Sequence, residues 1–151
     1  MEFWTKALLT LRQGRKVVLL IVVDHQGSSP GKQGFKMLVS DDGKQYGTVG
    51  GGLTEHKMVE RAKKMLKEKI EQAEIHLHVH NDSDEKNKSG MICSGENKVL
   101  LYPLGKEHID NINEIITALT LKHDLTVEFS KDFFHIRMSA SIDQQYEFTE
   151  D

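Results

Sequence analysis

The sequence predicts a single α/β domain, a mixed β-sheet packed by two to three helices, with a carboxy-terminal β meander. Three observations predict it. Val17–Val23 (VVLLIVV) is an unbroken apolar run of strand length, as a strand buried on both faces requires. Three longer stretches repeat apolar residues at helical spacing. Short segments rich in β-branched and aromatic residues, bounded by turn residues, fill the remainder. With 151 residues, 38% of them hydrophobic and 28% charged, the chain can enclose one core.

Met1–Gln13 reads as the first helix, with Trp4, Leu8 and Leu11 inward and Gly14 as its stop. Lys16–Asp24 is the central strand. Phe35–Ser40 and Lys44–Val49 form a hairpin, because Asp42-Gly43 is a strong tight-turn signal. Thr54 to about Ile70 is a helix whose stripe is Met58, Val59, Ala62, Met65, Leu66 and Ile70. Its lysines gather towards the carboxyl end, as the helix dipole favours. Ile75–His80 is a strand, Asn81–Ser89 a polar loop, and Lys98–Pro103 another strand. Lys106–Leu121 is the next helix. Leu125–Phe129, Phe133–Met138 and about Gln145–Phe148 are the strands expected to form the meander.

Several function classes are disfavoured. The formal net charge of −3 gives no overall basic field for nucleic acid. No apolar run approaches membrane-spanning length, and the amino-terminal pattern is amphipathic rather than that of a signal peptide. The single cysteine, Cys93, excludes an internal disulfide and agrees with a cytoplasmic setting. No Ser-His-Asp order, paired-carboxylate motif, phosphate-loop or dinucleotide fingerprint occurs, so a binding site is expected rather than a catalytic one.

The candidates for that site start from Gly50-Gly51-Gly52, between a strand and a helix. Bare amides at the positive end of a helix suit a phosphate; a tight reversal with close packing is the plainer reading. Glu55, in the first helical turn, competes for the same positive end. Ser28 and Ser29, in the turn Gly27-Ser28-Ser29-Pro30-Gly31, either cap their own turn or rim a ligand. Lys32 and Lys36 lie close by and could pair with an anion, although a lysine snorkelling from a half-buried strand is the commoner case. Cys93 lies in Ser89-Gly90-Met91-Ile92-Cys93-Ser94-Gly95. There it is either a small buried hydrophobe, a sulfur carrier, or a ligand for a soft or high-valent metal. His76, His78 and His80 alternate on one strand face; with no evident fourth ligand, a solvated face is preferred over a metal array.

The spaced elements GSSP, GFKMLV, DGK…GTVGGGLxE and a following helix, with Gly90-Met91-Ile92-Cys93-Ser94-Gly95 downstream, resemble the amino-terminal domain of the XdhC/CoxI family of xanthine dehydrogenase accessory proteins. The resemblance covers roughly residues 1–105, with 106–151 expected as a helix and strands of the same domain. It implies a cytoplasmic chaperone, not an enzyme, that binds molybdenum cofactor and assists its sulfuration and insertion into a xanthine dehydrogenase-type molybdenum hydroxylase. It also implies a cysteine desulfurase as sulfur donor and a homodimer. Ser28, Ser29, Lys36, Gly50, Gly51, Gly52, Glu55 and Cys93 would bind the cofactor, with Cys93 towards the metal. The family has a basic residue at the position of Lys36 and an acid at that of Glu55; a carboxylate suits a pterin's amino edge better than a phosphate. Two departures stand out. Ser94 replaces a glycine, and nothing after Leu121 has the length or the glycines of the family's second, dinucleotide-binding domain. An interaction module, or a small nucleotide-binding regulator whose site has decayed, is the alternative.

Overall fold

The computed structural model describes residues 2–26, 35–79, 96–129, 134–139 and 144–148; at 23–26, 77–79, 96–97, 124–126, 128, 134–139 and 144–148 it describes the backbone alone. Helix α1 (Glu2–Arg12) leads into β1 (Val17–Gln26), then β2 (Lys36–Ser40), β3 (Gln45–Gly47) and α2 (Gly52–Lys67). Strands β4 (Glu74–Val79) and β5 (Glu96–Leu104) follow. A short 3₁₀ turn, Lys106–His108, then opens α3 (Ile109–Thr120), and β6 (Asp124–Phe129), β7 (Phe134–Ser139) and β8 (Gln144–Phe148) complete the order.

The strands form two sheets. The larger has the order β3-β2-β1-β5-β4, with every neighbouring pair antiparallel. The apolar run is therefore central, as its composition requires. Both strand directions occur only in the smaller sheet, ordered β7-β6-β8, where β6 pairs antiparallel with β7 and parallel with β8. The three carboxy-terminal strands lie where the sequence places them, but β8 passes β7 to join the far edge of β6. A meander would leave β6 with one free edge. Val127 and Phe129 of β6 are fully buried, and the inside position suits the strand that carries them.

The large sheet is covered on both faces, and β1 divides its residues between them. Val17, Leu19 and Ile21 enter a core with Trp4, Ala7 and Leu11 of α1 and Ile112, Ile115 and Ala118 of α3. Val18, Leu20 and Val22 enter a second core with Val59, Ala62 and Met65 of α2. Val127 and Phe129 belong to the first core, and the Phe129 ring lies 5.4 Å from that of Tyr102 on β5. The small sheet thus shares the core beneath α1 and α3. Pro103 sits on β5 beyond its pairing with β4, which ends at Leu101, so its missing N–H costs no ladder bond on that side.

Two of the boundaries that differ from the pattern have a local cause. Helix α2 stops at Lys67 although its apolar stripe runs on to Ile70. Lys69 takes φ 58° and the Ile70 N–H returns to the Met65 carbonyl at 3.0 Å, a left-handed stop made without glycine. Strand β3 ends at Gly47 rather than Val49. There φ is +92°, and a Cβ would stand 2.3 Å from the Lys36 carbonyl oxygen.

Phe129→Ala should lower unfolding free energy by about 3 kcal/mol, the cost of a large cavity in a packed core. Urea denaturation checks this; a loss below about 1 kcal/mol would show that the small sheet does not share the main core.

Candidate functional site

The join between β3 and α2 is held by one carboxylate. Val49 is buried against α2 and anchors the turn. After it, Gly50, Gly51 and Gly52 take φ of +126°, +81° and +72°. A Cβ at any of the three would meet nothing within 4 Å, so backbone shape, not crowding, calls for glycine here. The turn folds the chain back so that Glu55, one turn into α2, faces the amides behind it. Glu55 Oε1 accepts from the Val49 N–H at 3.1 Å, the Gly51 N–H at 2.9 Å and the Thr48 hydroxyl. The Gly50 N–H in turn donates to Thr48 Oγ1 at 3.0 Å. Partial burial pushes the Glu55 carboxyl up, but the hydrogen bonds from Thr48, Gly51 and Val49 outweigh it and hold the group below its ordinary range.

Glu55 thus sets its carboxylate at the positive end of α2, on amides of the turn that leads into the helix. The amides of Gly50 and Gly51, which the glycine pattern offers to a phosphate, are committed to Thr48 and Glu55. Beside the turn, Gln45, Gly52, Glu55, His56, Glu60 and Lys63 surround a pocket of about 260 Å³ floored by Val59. Lys63 Nζ lies 3.6 Å from Glu60 Oε2. Two carboxylates and one ammonium make this an acceptor-rich pocket, suited to the N–H edge of a ligand more than to its anion.

The structure brings Gly50, Gly51, Gly52 and Glu55 together and sets Lys36 apart. The Lys36 ammonium lies 5.5 Å from the Phe3 ring centroid, under α1 and on the opposite face of the sheet from α2. Burial there lowers its pKa. Ser28, Ser29, Lys32 and Cys93 lie outside the described residues. Thr48 was missed by the sequence reasoning. Its signal was a hydroxyl two residues before a glycine triplet and seven before a first-turn acid, which together form a local clasp.

Of the three alternating histidines, His76 is described in full. Its Nε2 lies 2.9 Å from Glu74 Oε1. Arg61 of α2 grips the same carboxylate with both arms: Nε donates to Oε1 at 2.8 Å and Nη2 donates to Oε2. Arg61 first, helped by His76, brings the Glu74 carboxyl down to about 2 in spite of partial burial. This network ties the middle of α2 to the edge strand β4. The His78 side chain and His80 lie outside the described residues, and no group of three His, Cys, Asp or Glu that could hold a metal occurs among the described ones.

Residues 10–78 match the family model described as the XdhC and CoxI family. The matched segment thus ends on β4 and includes the whole Thr48–Glu55 clasp. Over 69 residues, 46% of this chain and 13% of the relative, the chain is 35% identical to a protein of Escherichia coli (strain K12) named uncharacterized protein YqeB. A crystal structure described as a xanthine dehydrogenase from Bacillus halodurans shares the fold with a TM-score of 0.61 and 20% identity. That likeness covers 91% of this chain and 42% of the other. The likeness thus spans 13% of the length of the Escherichia coli protein and 42% of that of the Bacillus halodurans protein.

Two outcomes test the electrostatics. Glu55→Ala should cost about 1–2 kcal/mol and speed hydrogen exchange at the Gly51 amide, because the Val49 and Gly51 donors lose their acceptor; an unchanged exchange rate would show that the clasp contributes nothing. For Glu74 the folded pKa is depressed from 4.5 to about 2, so its stabilisation is complete above the unfolded value and fades as pH falls towards the folded one. Glu74→Gln should accordingly be less stable than the parent at pH 7, by about 1–2 kcal/mol, with the gap closing below pH ~4.5. A gap that persists undiminished at pH ~2.5, measured by chemical denaturation, would contradict this.

Proposed function

From the premise that residues 10–78 carry the XdhC and CoxI family pattern, we propose that this chain is a molybdenum cofactor-binding accessory protein. In this reading it assists sulfuration of the cofactor and its insertion into a xanthine dehydrogenase-type molybdenum hydroxylase. The observation that carries the proposal is that the family-matched segment builds the Glu55 clasp and the acceptor-rich pocket beside it. The fold shared with the Bacillus halodurans protein is consistent with it.

The residues fit one end of such a ligand better than the other. Glu55 and Glu60 accept from the amino and ring N–H groups of a pterin. The Gly50 and Gly51 amides are engaged internally, so the phosphate would meet Lys63 rather than a glycine cradle. When bound, the cofactor supplies the molybdenum and the terminal sulfur that the hydroxylase uses. In this scheme the clasped turn keeps the pterin-reading carboxylate in place, and Cys93, the chain's only thiol, serves the metal or sulfur end. Ser28 and Ser29, outside the described residues, are the further side chains this reading assigns to the cofactor. The partners are the hydroxylase, a cysteine desulfurase that provides the sulfur, and a second copy of the chain. One observation favours a second reading. Because Glu55 and Thr48 already hold the amides of the turn, the turn stands without a ligand, as in a pure interaction module.

The test is purification under reducing, anaerobic conditions from a cell that makes the cofactor, with assays for molybdenum and for pterin fluorescence. The protein should retain both, Glu55→Ala should retain roughly tenfold less pterin, and Cys93→Ser should keep pterin but fail to yield active hydroxylase. A parent protein that carries neither molybdenum nor pterin would leave the interaction module as the answer.

A further inference from the structure

One end of the large sheet gathers histidines from strands far apart in the chain. We propose a site for a divalent cation of the zinc type on the α2 face of that sheet, with His25, His76 and His78 as its ligands and Asn97 between them. It spans β1, β5 and β4, whereas the Glu55 pocket borders β3 at the opposite edge, so it is independent of the cofactor reading.

The face follows from register. Residues directly opposite one another on antiparallel strands share a face. Glu74 stands opposite Leu101, and Leu101 opposite Leu20; His76 stands opposite Val99, and Val99 opposite Val22. Leu20, Val22, Val99 and Leu101 all enter the core under α2, so Glu74 and His76 lie on the α2 face, where Arg61 meets Glu74. His78, two residues on, takes the same face and stands opposite Asn97.

Asn97 also stands opposite His25. A regular β1 would put Asp24 there. Between Val99 and Asn97 β5 takes two steps, while β1 takes three from Val22 to His25, and this bulge brings His25 onto the α2 face. Backbone register thus sets His25, Asn97 and His78 in a row across three strands, with His76 one rung back. At ordinary strand spacings the ends of the row are about 10 Å apart, and His76 is about 7 Å from His78. Imidazoles from positions so spaced can reach one ion held about 2 Å from each nitrogen. In the sequence the alternating histidines lack a further ligand; the fold supplies it from β1.

The state of His76 is the second observation. Its Nε2 lies 2.9 Å from Glu74 Oε1, and Arg61 holds the same carboxylate. An ionised carboxylate only accepts, so Nε2 carries the proton and the neutral ring keeps its Nδ1 lone pair for a cation. A carboxylate on the far nitrogen is the usual support of a metal-ligating histidine. The His76 side chain is 33% exposed, so solvent and ions reach this rung. Three neutral imidazoles suit zinc and its first-row neighbours rather than magnesium or calcium, which favour oxygen donors. Water or the Asn97 amide oxygen would take the fourth position.

The probe is zinc chloride, titrated by calorimetry into the metal-stripped full chain. One ion per chain should bind with a Kd of about 1 µM or tighter. His25→Gln and, separately, His78→Gln should each weaken binding by about tenfold or more. Glu74→Ala, which frees the His76 ring, should weaken it by about 10–100-fold. His123→Gln, between α3 and β6, should leave it unchanged. Long-range proton–nitrogen NMR of the histidine rings needs no variant: zinc should move the signals of His25, His76 and His78, with Nδ1 the perturbed atom of His76. Binding at full strength in His25→Gln, or zinc shifts confined to other histidines, would overturn the proposal. So would a parent protein that takes up no stoichiometric zinc.

Discussion

The rest of the structure depends on the burial of β1 from both sides. Each residue from Val17 to Val22 is at most 1% exposed. A strand with no polar face cannot border water, and each such side chain left exposed would forfeit about 1.5–3 kcal/mol. It must therefore be flanked by β2 and β5 along its edges and covered by helices above and below. That requirement fixes three layers: α1 and α3, the sheet, and α2. It also separates two surfaces that the sequence runs together. Lys36 and Glu55 are 19 positions apart and look like one cluster in a linear reading. Strand alternation sends Met37 to the α2 core and Lys36 to the α1 side, and the two charges end on opposite faces.

The placement of α2 then decides the chemistry of its amino terminus. Its inner face is committed to Val18, Leu20 and Val22, and the Arg61–Glu74 pair fixes its flank to β4. The helix start therefore arrives just after β3, where a tight turn must return the chain. Three glycines with positive φ allow the turn, and it leaves amides pointing at one spot. A carboxylate on the same helix occupies that spot at a far higher effective concentration than any free anion. Glu55 thereby changes an anion-attracting helix end into a neutralised one and leaves an acceptor-rich pocket at its side. Glu74 is a parallel case. Both acids are held below their ordinary range by donors contributed locally, so both sets of contacts weaken on acidification.

Much of this was written in the sequence by itself. The apolar run, the helical stripes of α1, α2 and α3, the Asp42-Gly43 turn and the positions of eight strands follow from local periodicity and turn chemistry, which act over a few residues. The family motif and the importance of the glycine triplet were legible for the same reason. Tertiary structure alone decided the rest. The carboxy-terminal strands gave no sign that β8 would pass β7, because pairing depends on which edges are open. Lysine-capped helix ends at Lys69 and Lys122 carry no glycine to announce them. The clasp on Glu55 and the grip of Arg61 on Glu74 each need groups from separate elements at hydrogen-bonding range. A linear pattern records which groups exist; it is the burial of β1, by setting which face each neighbour takes, that determines which of them meet.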